Sequence, residues 1–263
     1  MLRTHHRFFI PRDFFKVYYI DFNENHSEAK DRLVKFLDLN IACESYYNRS
    51  DGDNWPYLEK IEGAMQEVWG REAVALKLLR VNQILSNYGL EVYVLDAYRS
   101  IECQRGLWSF FTRKAMCEMP DSSEEERRQY VLNYVSDPSM FALEDSRTWP
   151  THSTGAAIDL FIRHKETGRL LDMGARFDET SSISHSDFFE RKLVAGEIAD
   201  NDARLWNRRL LHLSMQQVGF TNYPLEFWHF DYGNEMYIRM LRMFQTVNAP
   251  SEAWYGYMEN PEK

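Results

Sequence analysis

The sequence predicts an α+β fold: a single domain with a central antiparallel sheet flanked by helices. Two observations carry that expectation. Helical and strand periodicities are interspersed along the chain, and the links between strands after residue 155 are short, which favours antiparallel pairing. The length of 263 residues suffices for one sizeable core without requiring a second domain. The whole chain, 1–263, is therefore read as one unit.

The clearest helix spans residues 71–88. Val74, Leu78, Val81, Leu85 and Tyr88 recur at alternating steps of four and three, and Gly89 supplies a stop. "LEVYVLDAY" follows, short, β-branched and aromatic, and reads as a strand. "SIECQRGLWSFFTRKAMCEM" returns to helix with Ser100 as its cap. Ser122 and Glu125 form a capping-box pair ahead of "RRQYVLNYV", which Pro138 closes. "GAAIDLFIRH" is a strand with Ala156, Ile158, Leu160 and Ile162 on one face and Ala157, Asp159, Phe161 and Arg163 on the other. "KETG" is a turn, and "RLLDM" is expected to return as the partner of a hairpin. Residues 200–218 form a helix with a stripe of Ala203, Trp206, Leu210 and Leu213, and "LEFWHFDYG" is the last strand. "FNENHSEAK" and "NRSDGDNW" are loops.

Bulk properties exclude several classes. An apolar fraction of 44% argues against disorder, and a net charge of -9 argues against a nucleic-acid surface. Three cysteines without CxxC spacing fit neither a disulfide framework nor a cysteine zinc site. No signal-peptide pattern and no membrane-spanning run is visible, so the expected setting is cytoplasmic. His5 and His6, with Arg3 and Arg7, read as solvated N-terminal charge.

Four stretches carry chemistry. In "PTHSTGAAID", Asp159 interrupts an apolar strand, where an unpaired carboxylate is costly, and Gly155 frees the backbone to fold His152 back over the sheet. In "EFWHF", His229 sits in an aromatic strand with Glu226 three residues before it. A catalytic zinc site needs three protein ligands, an open position and a nearby base; His152, Asp159 and His229 supply the first and Glu226 the last. Residues three apart in a regular strand face opposite ways, so Glu226 must lie in a turn or bulge, for which Pro224 gives the irregular entry. In "DAYRS", Arg99 past a strand end suits a fixed charge for an oxyanion. In "MGARFDE", Asp178 is open to three readings: a pair with Arg176, a turn cap, or a partner for a cationic substrate group.

In this order the stretches resemble the zinc D-Ala-D-Ala peptidases. "THSTGAAIDL" is similar to their S-x-H-x-x-G-x-A-x-D signature, "LEFWHF" to their E-x-W-H element and "LDAYRS" to their D-x-Y-R. "LDMGARFDETSSISH" and "NRRLLHLSMQQVGF" point to the D-alanyl-D-alanine dipeptidases of the VanX type, over roughly residues 70–235. The resemblance implies one Zn(2+) per chain on His152, Asp159 and His229, Glu226 as general base and acid, and Arg99 as stabiliser of the tetrahedral intermediate. It implies Asp178 as receiver of the free amino group of a small D,D-dipeptide, and places Ser184 and His185 at a substrate-side Ser-His pair. A D,D-carboxypeptidase, a peptidoglycan endopeptidase and a zinc-retaining peptide-binding module remain as alternatives. Two departures stand out: Pro150 replaces the signature serine, and residues 1–65 match less well.

Overall fold

The computed structural model describes residues 20–244 and 248–263. The cluster around His5 and His6 lies outside the described residues. The chain enters through two short strands, β1 (Asp21–Phe22) and β2 (Leu33–Lys35), and β3 (Trp69–Arg71) pairs antiparallel with β2. Next come α1 (Glu72–Ser86), β4 (Leu90–Asp96), α2 (Ile101–Glu118), α3 (Glu124–Leu132) and β5 (Ala157–His164). After them come α4 (Phe188–Val194), α5 (Ala203–Gln217), β6 (Thr221–Asn222), β7 (His229–Asp231), α6 (Glu235–Met243) and β8 (Glu252–Ala253). The central sheet has the order β4-β5-β7-β6, every pair antiparallel. The predicted fold class is therefore the one observed, with one addition: β1 pairs in parallel with β8, joining the two ends of the described chain.

The core forms where the periodicities place it. Val74, Leu78, Val81 and Leu85 of α1 are fully buried, and α1 packs on β4 and α5. Tyr88, the fifth member of the expected stripe, is 69% exposed because the helix has ended and Gly89 has turned the chain at φ 67°. Both faces of β5 are buried, so its alternation separates two environments rather than core from solvent. Ser100 caps α2 as expected, accepting from the Cys103 N–H.

Several local expectations shift. The capping box of α3 is Ser123 with Glu126, one residue later than Ser122 with Glu125, since Ser123 is the residue with extended backbone. "RLLDM" forms no strand; it touches β5 only through an isolated bridge between Arg163 and Leu170. "LEFWHFDYG" contains only three strand residues, because residues 223–228 lie in turns and loop. The largest correction concerns α5. The expected stripe of Ala203, Trp206, Leu210 and Leu213 is not the buried face, and Trp206 is 39% exposed. The buried face carries Leu205, Leu211 and Met215 together with Arg208 and Arg209. Arg209 enters the interior because Glu190 of α4 receives it in two bonds of 2.6 and 2.7 Å. Arg208 enters because three carbonyls, of Met173, Ile183 and His185, accept its N–H groups.

Gly155 ends the short 3-10 turn Thr151–Thr154 at φ 69°, immediately before β5. Its carbonyl accepts the Arg71 N–H at 2.8 Å, and a Cβ here would lie 2.4 Å from Leu33 Cδ2. Gly155→Ala should thus combine backbone strain with overpacking and destabilise the fold by about 1–3 kcal/mol. A urea titration checks this; an unchanged midpoint would show that the turn relaxes freely.

Candidate metal centre and cleft

The site starts from the register of the central sheet. Asp159 of β5 is paired with Asp96 on one side and with His229 on the other, so three ionisable residues form one row. Asp96 reaches that row through an irregularity between Val94 and Asp96, which inserts one residue into β4. His152 arrives from the turn before β5. Its carbonyl accepts the Arg99 N–H at 3.2 Å and its Nδ1 lies 2.8 Å from the Ala97 carbonyl. Among the described residues His152, Asp159 and His229 are the group able to hold a metal ion, with ligand atoms all within 4.8 Å of one another.

Protonation follows from the neighbours. A carbonyl oxygen only accepts, so His152 Nδ1 carries its proton and Nε2 presents a lone pair. His229 Nε2 donates to Asp231 Oδ2 at 3.1 Å, which turns Nδ1 toward His152 and Asp159. The His152 Nε2 and His229 Nδ1 atoms lie 3.3 Å apart. Asp159 Oδ2 stands 3.4 Å from His152 Nε2, and Oδ1 stands 2.9 Å from His229 Nδ1. Buried Asp159 Oδ1 forms no well-aligned hydrogen bond across that approach, although, against the opposing effect of burial, the Asp231 and Asp159 carboxylates push the His229 imidazole well above its usual value. Two imidazole nitrogens and a carboxylate oxygen therefore converge, a donor set that fits a divalent cation taking the place of the His229 proton. Both imidazoles are oriented through their second nitrogen, and Asp231 is itself held by Asn234 Nδ2 at 2.7 Å.

The group opens into a cavity of about 180 Å³, lined by His152, Asp159, His229, Glu226, Arg99 and Asp178, with Pro150, Tyr47 and Tyr57 among its walls. Glu226 lies in the turn before β7, as the spacing required. Its N–H donates to the Tyr223 carbonyl at 3.0 Å, its own carbonyl accepts from His229 N–H at 3.2 Å, and Oε2 sits 3.7 Å from His229 Nδ1. Burial, opposed by His229 and reinforced by the Asp159 and Asp178 charges, pushes the Glu226 carboxyl up to about 7. That side chain still keeps 36% of its surface open to the cleft, so water offsets part of the push.

Arg99 is almost fully buried. It donates to Asp96 Oδ2 from Nε at 2.9 Å and Nη2 at 2.6 Å, to Gln104 Oε1 at 3.3 Å and to the Tyr47 hydroxyl at 3.1 Å. Burial pushes Asp96 up to about 7 against the pull of that guanidinium. Asp178 makes no ion pair with Arg176, whose guanidinium lies over the Trp55 ring. It accepts instead from Tyr57 at 2.9 Å and Tyr47 at 3.1 Å, both on Oδ2.

Ser184 departs from the substrate-contacting role. Its hydroxyl is spent on the Ser181 and Leu225 carbonyls at 2.8 and 2.9 Å, and it does not line the cleft. It acts on the site indirectly: its carbonyl accepts the Phe227 N–H, so this segment grips the turn that carries Glu226. Adjacent His185 is likewise absent from the cleft wall, and its buried Nδ1 has no hydrogen-bond partner.

Residues 59–247 match the family described as D-Ala-D-Ala dipeptidase, peptidase M15. The chain belongs to this family. It is 34% identical over 143 residues to a D-alanyl-D-alanine dipeptidase of Escherichia coli strain K12, covering 54% of this chain and 55% of that one. It is 28% identical over 176 residues to the D-alanyl-D-alanine dipeptidase of Enterococcus faecium, covering 66% and 77%. Among solved structures, VanYB in complex with D-Ala-D-Ala aligns with a TM-score of 0.42 at 13% identity, over 74% of this chain and 92% of that one. Among the described residues no helix is long and apolar enough to cross a membrane.

Sequence reasoning missed four residues that hold this cleft's side chains: Asp96, Asp231, Tyr47 and Tyr57. Asp96 and Asp231 were visible as acids beside a motif arginine and a motif histidine. Tyr47 and Tyr57 precede the family-matched region and carried no pattern. Asp231 acts on the ligand set through His229, so Asp231→Asn should weaken divalent-metal binding about 10–100-fold. Competition against a chromophoric chelator measures this; unchanged affinity would mean that Asp231 leaves His229 as it finds it.

Proposed function

We propose that this enzyme hydrolyses the D-Ala-D-Ala dipeptide with zinc held by His152, Asp159 and His229. The observation that carries the reading is the convergence of two imidazoles and a carboxylate in one cleft that Glu226 and Asp178 also line. Two imidazoles and a carboxylate suit zinc. A zinc ion in that position would supply Lewis acidity, acidifying water and drawing charge from a carbonyl oxygen.

The chain's own groups account for the rest. Glu226, raised toward neutrality, takes the proton of the attacking water and returns it to the leaving amine. Arg99 lines the cleft as a fixed positive charge for the developing oxyanion, held in place by Asp96, Gln104 and Tyr47. Asp178 receives the substrate ammonium, and this closes the amino side of the cleft to longer peptides. That closure favours a dipeptidase over a carboxypeptidase or an endopeptidase, which must leave the amino side open. Pro150 contributes a wall with no N–H and no hydroxyl, so the contact a serine would offer there is absent.

Glu226→Ala should lower kcat on D-Ala-D-Ala by about a hundred- to ten-thousand-fold while bound metal, quantified in the same sample, is retained. Full activity in that variant would remove Glu226 as the base. Metal-free protein that regains nothing when zinc is restored would remove the whole reading. The pH dependence is a second check. Glu226 and Asp178 both work ionised, and burial pushes each up to about 7, so activity is lost as pH falls through their values. A bound cation draws both down from there. The acid limb of kcat/KM should lie between the ordinary carboxylate range of about 4 and about 7, with a slope approaching two protons. A limb of slope one near pH 4 would sink the two-carboxylate assignment.

A further inference from the structure

Asp178 stands at φ 56°, the left-handed region that a non-glycine residue seldom occupies, so its side-chain direction depends on what surrounds it. Two hydroxyls supply that hold, and both fall on one oxygen: Tyr57 and Tyr47 donate to Oδ2. The other oxygen, Oδ1, accepts no hydrogen bond from the described residues, although Asp178 lines the cleft. The direction of the Tyr47 bond is forced. A guanidinium only donates, so the Tyr47 oxygen accepts from Arg99 Nη2 and its single proton goes to Asp178. Burial pushes both phenols well above their ordinary value, so both remain donors.

The two rings are themselves fixed. Tyr47 and Tyr57 meet edge to face with centroids 5.4 Å apart, and Tyr57 packs on Phe110 at 4.8 Å. The Arg99 guanidinium lies 5.0 Å from the centre of the Tyr47 ring, and Phe177, the neighbour of Asp178, packs 6.3 Å from it. Residues 47 and 57 belong to the segment preceding the family match at 59–247.

We propose that Tyr47 and Tyr57 are positioning residues for amino-terminal recognition: they fasten Oδ2 of Asp178, reserve Oδ1 for the substrate ammonium, and so make the enzyme select peptides with a free amino end. This rests on the dipeptidase reading above. Tyr57 touches Asp178 but not Arg99, whereas Tyr47 bridges the two, which separates their expected effects.

The experiment compares wild type, Tyr57→Phe and Tyr47→Phe on D-Ala-D-Ala and on its N-acetylated form, which lacks the ammonium, with metal content and thermal melting recorded for each. Tyr57→Phe should raise KM for D-Ala-D-Ala roughly tenfold, the scale of one lost charge-assisted hydrogen bond, with the effect in KM rather than kcat. Tyr47→Phe should raise KM similarly and also lower kcat, because Arg99 loses a partner. In both, the preference for the free over the acetylated dipeptide should shrink. Equal losses on the two substrates, or an unchanged KM in both variants, would overturn the tyrosine roles while leaving the dipeptidase reading intact. A wild-type protein that cleaves neither substrate would instead overturn the reading and this inference together. Should one variant fail to fold, the other still decides, since each hydroxyl is tested alone.

Discussion

The site depends on one register. Asp159 sits opposite Asp96 and His229 in the same row of the central sheet. Because side chains alternate along a strand, a slip of one residue would turn Asp159 away from both and bring an apolar residue into its place. The buried apolar face of β5 resists that slip: Ala156, Ile158, Leu160 and Ile162 are fully buried and would all change sides. Hydrophobic burial thus fixes the position of a carboxylate that burial itself penalises. The penalty is offset at a single point, where two imidazole nitrogens and a carboxylate oxygen share room for a cation.

Charge around the cleft follows from the same placement. Asp96, Asp159, Asp178 and Glu226 surround a single guanidinium, that of Arg99. Four carboxylates beside one fixed positive charge leave a field that rewards cations. Burial raises Asp96, Asp178 and Glu226 each to about 7, so this surplus is itself pH-sensitive. Tyr47 lies between Arg99 and Asp178, accepting from the first and donating to the second, so the guanidinium and that carboxylate share one hydroxyl.

Much of this was legible in the sequence where function sits on a pattern. Asp159 interrupting an apolar strand, and Glu226 three residues before His229, are departures from local rules, and such departures mark sites. What stayed illegible depends on distant partners. Tyr47 and Tyr57 reach Asp178 across 131 and 121 positions, and nothing near them in sequence announces it. The stripe expected on α5 failed for a related reason. Periodicity assigns arginine to solvent, but Arg209 meets Glu190 and Arg208 meets three carbonyls, so charged residues face inward and Trp206 faces out. Ser184 carried a motif position, yet its hydroxyl serves the backbone of the neighbouring turn.

That turn resolves a conflict of parity. Glu226 and His229 are three residues apart, which on a continuous strand would put the two side chains on opposite faces. The chain avoids this by starting β7 only at His229 and spending the preceding residues in turns. Such a turn is a weak element, since its backbone groups lack a ladder. It is secured from outside: Asn222 Nδ2 donates to the Glu226 carbonyl at 3.0 Å, and Ser184 both donates to the Leu225 carbonyl and accepts from the Phe227 N–H. Ser184 lies within the Ile183–His185 stretch whose flanking carbonyls are held by Arg208, and Arg208 is buried in α5 between the rings of Phe189 and Phe227. A buried arginine outside the cleft therefore helps hold Glu226, through one segment and one turn, on the face where His152, Asp159 and His229 lie.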